Sequence, residues 1–185
     1  MEVHYMNDNI NRIKSMSRVF RIIFFSLVIA IPVGFALYWG FYNILPVNFR
    51  LTTQEFPMTA DSIAGFNRML CAAAGIIPLA VHIGIVFTLA RLFGMYERGD
   101  ILTAGNVSCI RKLGYLFIAR AVAGIIHTPL LALALTITNT PGNRQISLSL
   151  SSDEISSVLT GFVIIVIARV MDEGRAASDE QKLVI

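Results

Sequence analysis

From Ile22 to Phe49 the chain carries no charged side chain, and that run limits what it can become. Its core, FFSLVIAIPVGFALYWGFYNIL, is long enough for a helix to cross a bilayer, which takes about 20 apolar residues. Three more windows follow. Met69 to Ala90 lies between Arg68 and Arg91, and Ala121 to Asn143 extends back to Gly114 once Arg120 is accepted near a membrane edge. The fourth, 155–171, is the weakest, because it opens on the polar ISSVLTG. The spans are drawn at about 22–45, 69–90, 114–138 and 155–171.

Buried core helices would read similarly, but four such windows leave too little chain to wrap around them. Only 15% of the residues are charged, against about 25% in soluble domains, so a surface facing water on all sides is excluded. The same balance excludes disorder, which requires low hydrophobicity. A cleaved signal peptide does not fit either, since its apolar stretch is about 7–15 residues. The expected fold is therefore all-α: a polytopic membrane protein, one domain built as a four-transmembrane-helix bundle.

Lys and Arg collect on the cytoplasmic side of membrane proteins. Twelve of the fifteen basic residues fall before span one, between spans two and three (with Arg120 just inside), or after span four. Only Arg50, Arg68 and Arg144 fall on the other side. Both termini are therefore expected in the cytoplasm, and an even number of spans is needed to put them there. The net charge of +3 then reports orientation rather than direct binding of nucleic acid. Tyr38, Trp39, Phe41 and Tyr42 would mark the outer interface, Tyr96 and Tyr115 the inner one.

Residues 1–21 form a cytoplasmic tail, in which Ile10, Ile13, Met16 and Phe20 recur at helical spacing among basic residues. Such an amphipathic segment can lie on the inner leaflet. Thr59 or Asp61 could cap a helix leading into span two. Thr140 to Asn143 signals a turn before the alternating QISLSLSS, which reads as an irregular lead-in to span four or a short strand. In the middle loop, Gly99 is a natural helix stop and Thr103 a natural cap for the next helix. The acidic tail, 172–185, carries Asp172, Glu173, Asp179 and Glu180 and is expected to meet the basic loop around Arg111 and Lys112.

Ionisable groups inside a membrane are costly and so point to function. No Asp or Glu falls within the four span cores, which weighs against a carboxylate relay. Arg120 and Arg169 read as membrane anchors whose long side chains snorkel to the headgroups. His82 and His127 remain as a candidate intramembrane polar site. A shared haem is disfavoured by depth, since they lie about 12 Å and about 20 Å from the inner ends of their spans. No catalytic set, metal cluster or phosphate loop stands out, so no enzyme activity and no cofactor are expected. Pro32, Pro78 and Pro129 fall inside spans, where they either shape the bundle or form a cavity. Small residues four apart, at Ala30/Gly34, Ala36/Gly40, Ala80/Gly84 and Ser157/Gly161, allow close helix contact within one chain or in a homo-oligomer. Cys71 and Cys109 fall on opposite sides of the membrane, too far apart to bridge.

Residues 89–118, LARLFGMYERGDILTAGNVSCIRKLGYLFI, and 161–185, GFVIIVIARVMDEGRAASDEQKLVI, resemble a bacterial membrane family called domain of unknown function 2975. Leu92, Phe93, Tyr96, Gly99, Thr103 and Asn106 fit its loop pattern; Glu180 and Leu183 to Ile185 fit its tail. The resemblance, over about residues 20–185, implies a four-span protein of the bacterial inner membrane with no assigned catalytic residue. It also implies a neighbouring small helix-turn-helix regulator. The leading expectation is a membrane partner that sequesters such a regulator through Tyr96, Thr103, Asn106, Arg111 and Lys112. The alternative is a small transporter or permeability element using a cavity near the prolines and histidines.

Overall fold

The computed structural model describes residues 2–46, 49–50, 63–100, 103–139, 144, 146, 148 and 150–182, with side chains from 12 to 176. Four long helices account for most of them: α1 (Glu2–Gly40), α2 (Gly65–Arg98), α3 (Ala104–Thr136) and α4 (Ser152–Lys182). A 3-10 turn, Tyr42–Ile44, follows α1. All four helices are long and apolar enough to cross a membrane. No strand occurs among the described residues, and the chain is a four-helix bundle.

At 1.5 Å per residue α2 is about 51 Å long, well beyond a hydrocarbon layer of about 30 Å. Arg68 and Arg91 bracket its 22 uncharged residues, about 34 Å of helix, so its ends project past the apolar layer. Pro32, Pro78 and Pro129 all lie inside helices, as membrane helices tolerate when neighbours satisfy the freed backbone groups.

Residues 12–21 continue straight into α1 rather than turning to lie along a leaflet. No Gly or Pro interrupts the chain before Pro32, and Arg18 and Arg21 both reach Glu97 of α2. The described part of α2 begins after Ala64, which caps it with no side-chain hydrogen bond; Thr59 and Asp61 fall outside the described residues. The turn at 140–143 and residues 145, 147 and 149 of QISLSLSS also fall outside them, while residues 144, 146, 148 and 150 have no regular structure.

Among the described residues, helix backbones approach within 8 Å only between consecutive members: α1 on α2, α2 on α3, α3 on α4. One apolar cluster, with Trp39, Tyr42, Cys71, Leu131 and Leu135, closes the end away from the termini. A second, with Ile85, Leu92, Met95, Cys109 and Leu113, closes the terminal end. The two cysteines are free, buried and in different clusters. Asn67 ties α2 to α3 by donating Nδ2 to the Leu135 carbonyl (3.1 Å) and to Thr138 Oγ1 (2.8 Å). Outward, Ile22, Phe25, Ile29, Val33 and Leu37 on α1 and Leu159, Phe162, Val163 and Val166 on α4 are exposed, as lipid-facing side chains are.

Glycine sets one helix contact. A Cβ at Gly161 would lie 2.7 Å from the Gly114 carbonyl oxygen, and one at Gly114 would lie 2.9 Å from that of Gly161. The α3 and α4 backbones touch there, as small residues permit in membranes. The Ser157/Gly161 pair thus serves internal packing, whereas Gly34 and Gly40 of α1 meet nothing within 4 Å.

Candidate functional site

At the terminal end, α2 stops because Gly99 adopts φ 89°, a conformation that favours glycine. The Gly99 amide donates to Tyr96 O (3.0 Å) and the Asp100 amide to Met95 O (3.1 Å), the paired bonds of a Schellman motif. Thr103 then caps α3, its Oγ1 accepting from the Asn106 amide at 3.4 Å. Asn106, fully buried, donates Nδ2 back to the Asp100 carbonyl. Thr103 and Asn106 therefore hold the loop shape with the same atoms that a partner would otherwise engage. Tyr96 is half-buried against Phe93 and the terminal-end cluster, and Lys112 is exposed.

Two ion-paired clamps flank this loop, beyond the charge-free stretches. Glu97 accepts from Arg18 (2.9 Å) and Arg21 (2.7 Å), joining α1 to α2. The hydrogen bond from Arg18, aided by both positive charges, holds its carboxyl below the usual range against a smaller effect of desolvation. Across the bundle Arg111 donates to Asp172 at 2.8 Å, joining α3 to α4, and Arg175 reaches the same carboxylate at 3.3 Å. The Arg111 bond, then that of Arg175, lowers the Asp172 carboxyl likewise. The expected meeting of loop and tail thus takes place through Arg111 and Asp172. Arg169 instead pairs along its own helix with Glu173, at 3.4 Å.

A second polar group lies deep in the bundle. Arg120 is the middle residue of α3, sixteen positions from either end. It donates to Ser157 of α4, which is buried. Around this bond is a cleft of about 120 Å³, lined by Pro78, His82, Arg120, Asp153, Glu154 and Ser157 together with Ala121 and Gly124. His82 Nδ1 donates to the Pro78 carbonyl at 2.8 Å, which leaves Nε2 as an acceptor. Glu154 Oε2 accepts from the amide (2.8 Å) and hydroxyl of Ser151. His127 is half-buried and does not line the cleft. The two histidines therefore do not converge, and among the described residues no three His, Cys, Asp or Glu side chains gather as a metal site.

Glu154 and Asp153 lie in the first turn of α4, just before the window at 155–171, so hydropathy alone does not single them out. One signal was available: the fourth window was the shortest, seventeen residues, at the lower limit for a span. Its first turn therefore need not reach the membrane surface. Glu154 indeed rests on Gly124, twelve residues before the end of α3, about 18 Å below that end.

A family model described as a protein of unknown function (DUF2975) matches residues 22–185. The chain belongs to that family. No curated protein matches the chain, and no solved structure does. In this DUF2975 protein the features that stand out are the clamped terminal face and the mid-bundle cleft.

Proposed function

We propose that this DUF2975 protein is a non-enzymatic, multi-pass protein of the bacterial inner membrane, with both termini in the cytoplasm. Its terminal face docks and sequesters a small cytoplasmic helix-turn-helix regulator. One observation carries this reading: the Glu97 and Arg111–Asp172 clamps tie the helix ends in pairs around a capped loop. They leave Arg91, Lys112 and Arg169 exposed on a preformed basic face, and a rigid surface loses less entropy on binding than a mobile one. The positive-inside rule supports the orientation. The test is co-purification in mild detergent: a DNA-binding partner is retained by the wild type and released by Arg91→Glu with Lys112→Glu. Absence of any partner from cells that express the regulator counts against the proposal.

A second reading, a small-solute permeability element, is favoured by the cleft beside Pro78 and His82. Solute flux into liposomes that disappears with His82→Ala supports it; flux equal to that of empty liposomes opposes it.

A further inference from the structure

We infer that the cleft between α2, α3 and α4 is a water-accessible site for a small ammonium-class cation, entered from the end of the bundle away from the termini. The inference rests on the permeability reading, whose solute class it names, though binding itself requires no flux.

Depth comes first. Pro78 lies ten residues from Arg68 and thirteen from Arg91, about 15 Å and about 20 Å along α2. The cleft floor is thus near the middle of the apolar layer. There, charged side chains are expensive and mark pathways or binding sites.

The route follows from α4 being short on that side. Above the level of Gly124, α3 continues for about 18 Å with no α4 beside it. The α2–α3 groove there forms, among the described residues, a hollow of about 310 Å³ lined by Leu70, Ala74, Ile77, Leu130, Ala134 and Ile137. A path from the far surface to Glu154 therefore crosses none of the described helices.

Charge selects the occupant. Arg120 brings one positive charge and Asp153 and Glu154 bring two negative ones, with His82 counted neutral. One carboxylate is left uncompensated in a medium where that is costly, and a monovalent cation balances it. Arg120 and Glu154 share the cleft without an ion pair between them, since Arg120 donates to Ser157 and Glu154 Oε2 is held by Ser151. Glu154 Oε1 lies over Gly124, where a Cβ would be 2.7 Å away, so a side chain at 124 would displace the carboxylate. The remaining acceptors, Glu154 Oε1 and His82 Nε2, suit the N–H donors of an ammonium group. The Asp153 carboxylate lines the same cleft, but among the described residues no three His, Cys, Asp or Glu side chains gather closely enough to hold a metal ion.

The experiment uses the full chain in lipid vesicles carrying His82→Cys. The wild type, whose cysteines are buried, serves as the blank. Thiol modification by a trimethylammonium methanethiosulfonate is compared with that by its sulfonate analogue, each normalised to free cysteine. The cationic reagent is expected to be faster by about tenfold, as one unpaired charge at short range produces. Glu154→Gln should bring the ratio to about one, and methylammonium should slow the reaction where equal sodium does not. Labelling by a membrane-permeant maleimide alone, here and at Asp153→Cys, overturns the proposal because the cleft is then dry. A ratio at parity without Glu154→Gln overturns the cation preference, and sodium protecting as well as methylammonium overturns the ammonium class. Labelling with selective protection but no flux in liposomes retains the site and rejects the permeability reading.

Discussion

Gly161 brings α4 so close to Gly114 that a Cβ on either residue would fall within 3 Å of the other's carbonyl oxygen. Backbone cannot yield as a flexible side chain does, so an added methyl group must push the helices apart. Overpacking of this kind costs about 1–3 kcal/mol. Gly161→Ala and Gly114→Ala are expected to destabilise the bundle by that amount in thermal melts in detergent. Gly34→Ala, which meets open space, is expected to be silent.

The α2–α3 loop offers a sharper contrast. Gly99 sits at φ 89°, so Gly99→Ala is expected to cost about 1–2 kcal/mol. Thr103→Ala, which removes the cap, should cost about 1 kcal/mol. Asn106→Ala should go further, because it removes a fully buried side chain and strands the Asp100 carbonyl that it now satisfies. Thermal melts of the three variants rank these effects, and Asn106→Ala matching the wild type would contradict the bond.

These loop features were legible in the sequence because they are local: a glycine where a helix must stop and a threonine where the next begins. The four spans were legible for the same reason, since charge-free length is a property of one segment. The offset of α4 against α3 was not. It is set by the meeting of Gly114 with Gly161, 47 positions apart in the chain, and hydropathy reports how long a helix is without reporting its level. That offset is what turns Arg120 from an apparent edge anchor into the centre of a cleft.

The Glu97 clamp predicts a pH dependence with a definite sign. Its carboxyl is held below its ordinary value of 4.5 by Arg18 and Arg21. Its contribution is therefore complete above the unfolded value and is lost as the pH falls through the depressed folded one. Spin labels on α1 and α2 near this clamp should report α1 loosening as the pH drops below about 4.5. Glu97→Gln should already be loose at neutral pH and show no further change over that window.

Arg111 and Asp172 are each more than a third exposed, so their direct coupling is expected to be no more than about 1 kcal/mol. A double-mutant cycle with Arg111→Glu and Asp172→Arg measures it. The reversed pair should restore most of what each single reversal loses. Purely additive losses would show that loop and tail act independently.

Arg120 provides the strongest test of the deep cluster. Removing it by Arg120→Leu leaves Asp153 and Glu154 without the one cation that lines their cleft among the described residues, and Ser157 without its donor. Leaving the buried Ser157 hydroxyl without its charged donor should cost about 1–3 kcal/mol. Adding Glu154→Gln removes the stranded charge and should return much of the stability, although Arg120 and Glu154 make no direct ion pair. A snorkelling anchor behaves differently. For an anchor, Arg120→Leu has little effect on folding and Glu154→Gln does not rescue it. Thermal melts of the two single variants and the double variant in one detergent therefore separate a surface role from a buried one.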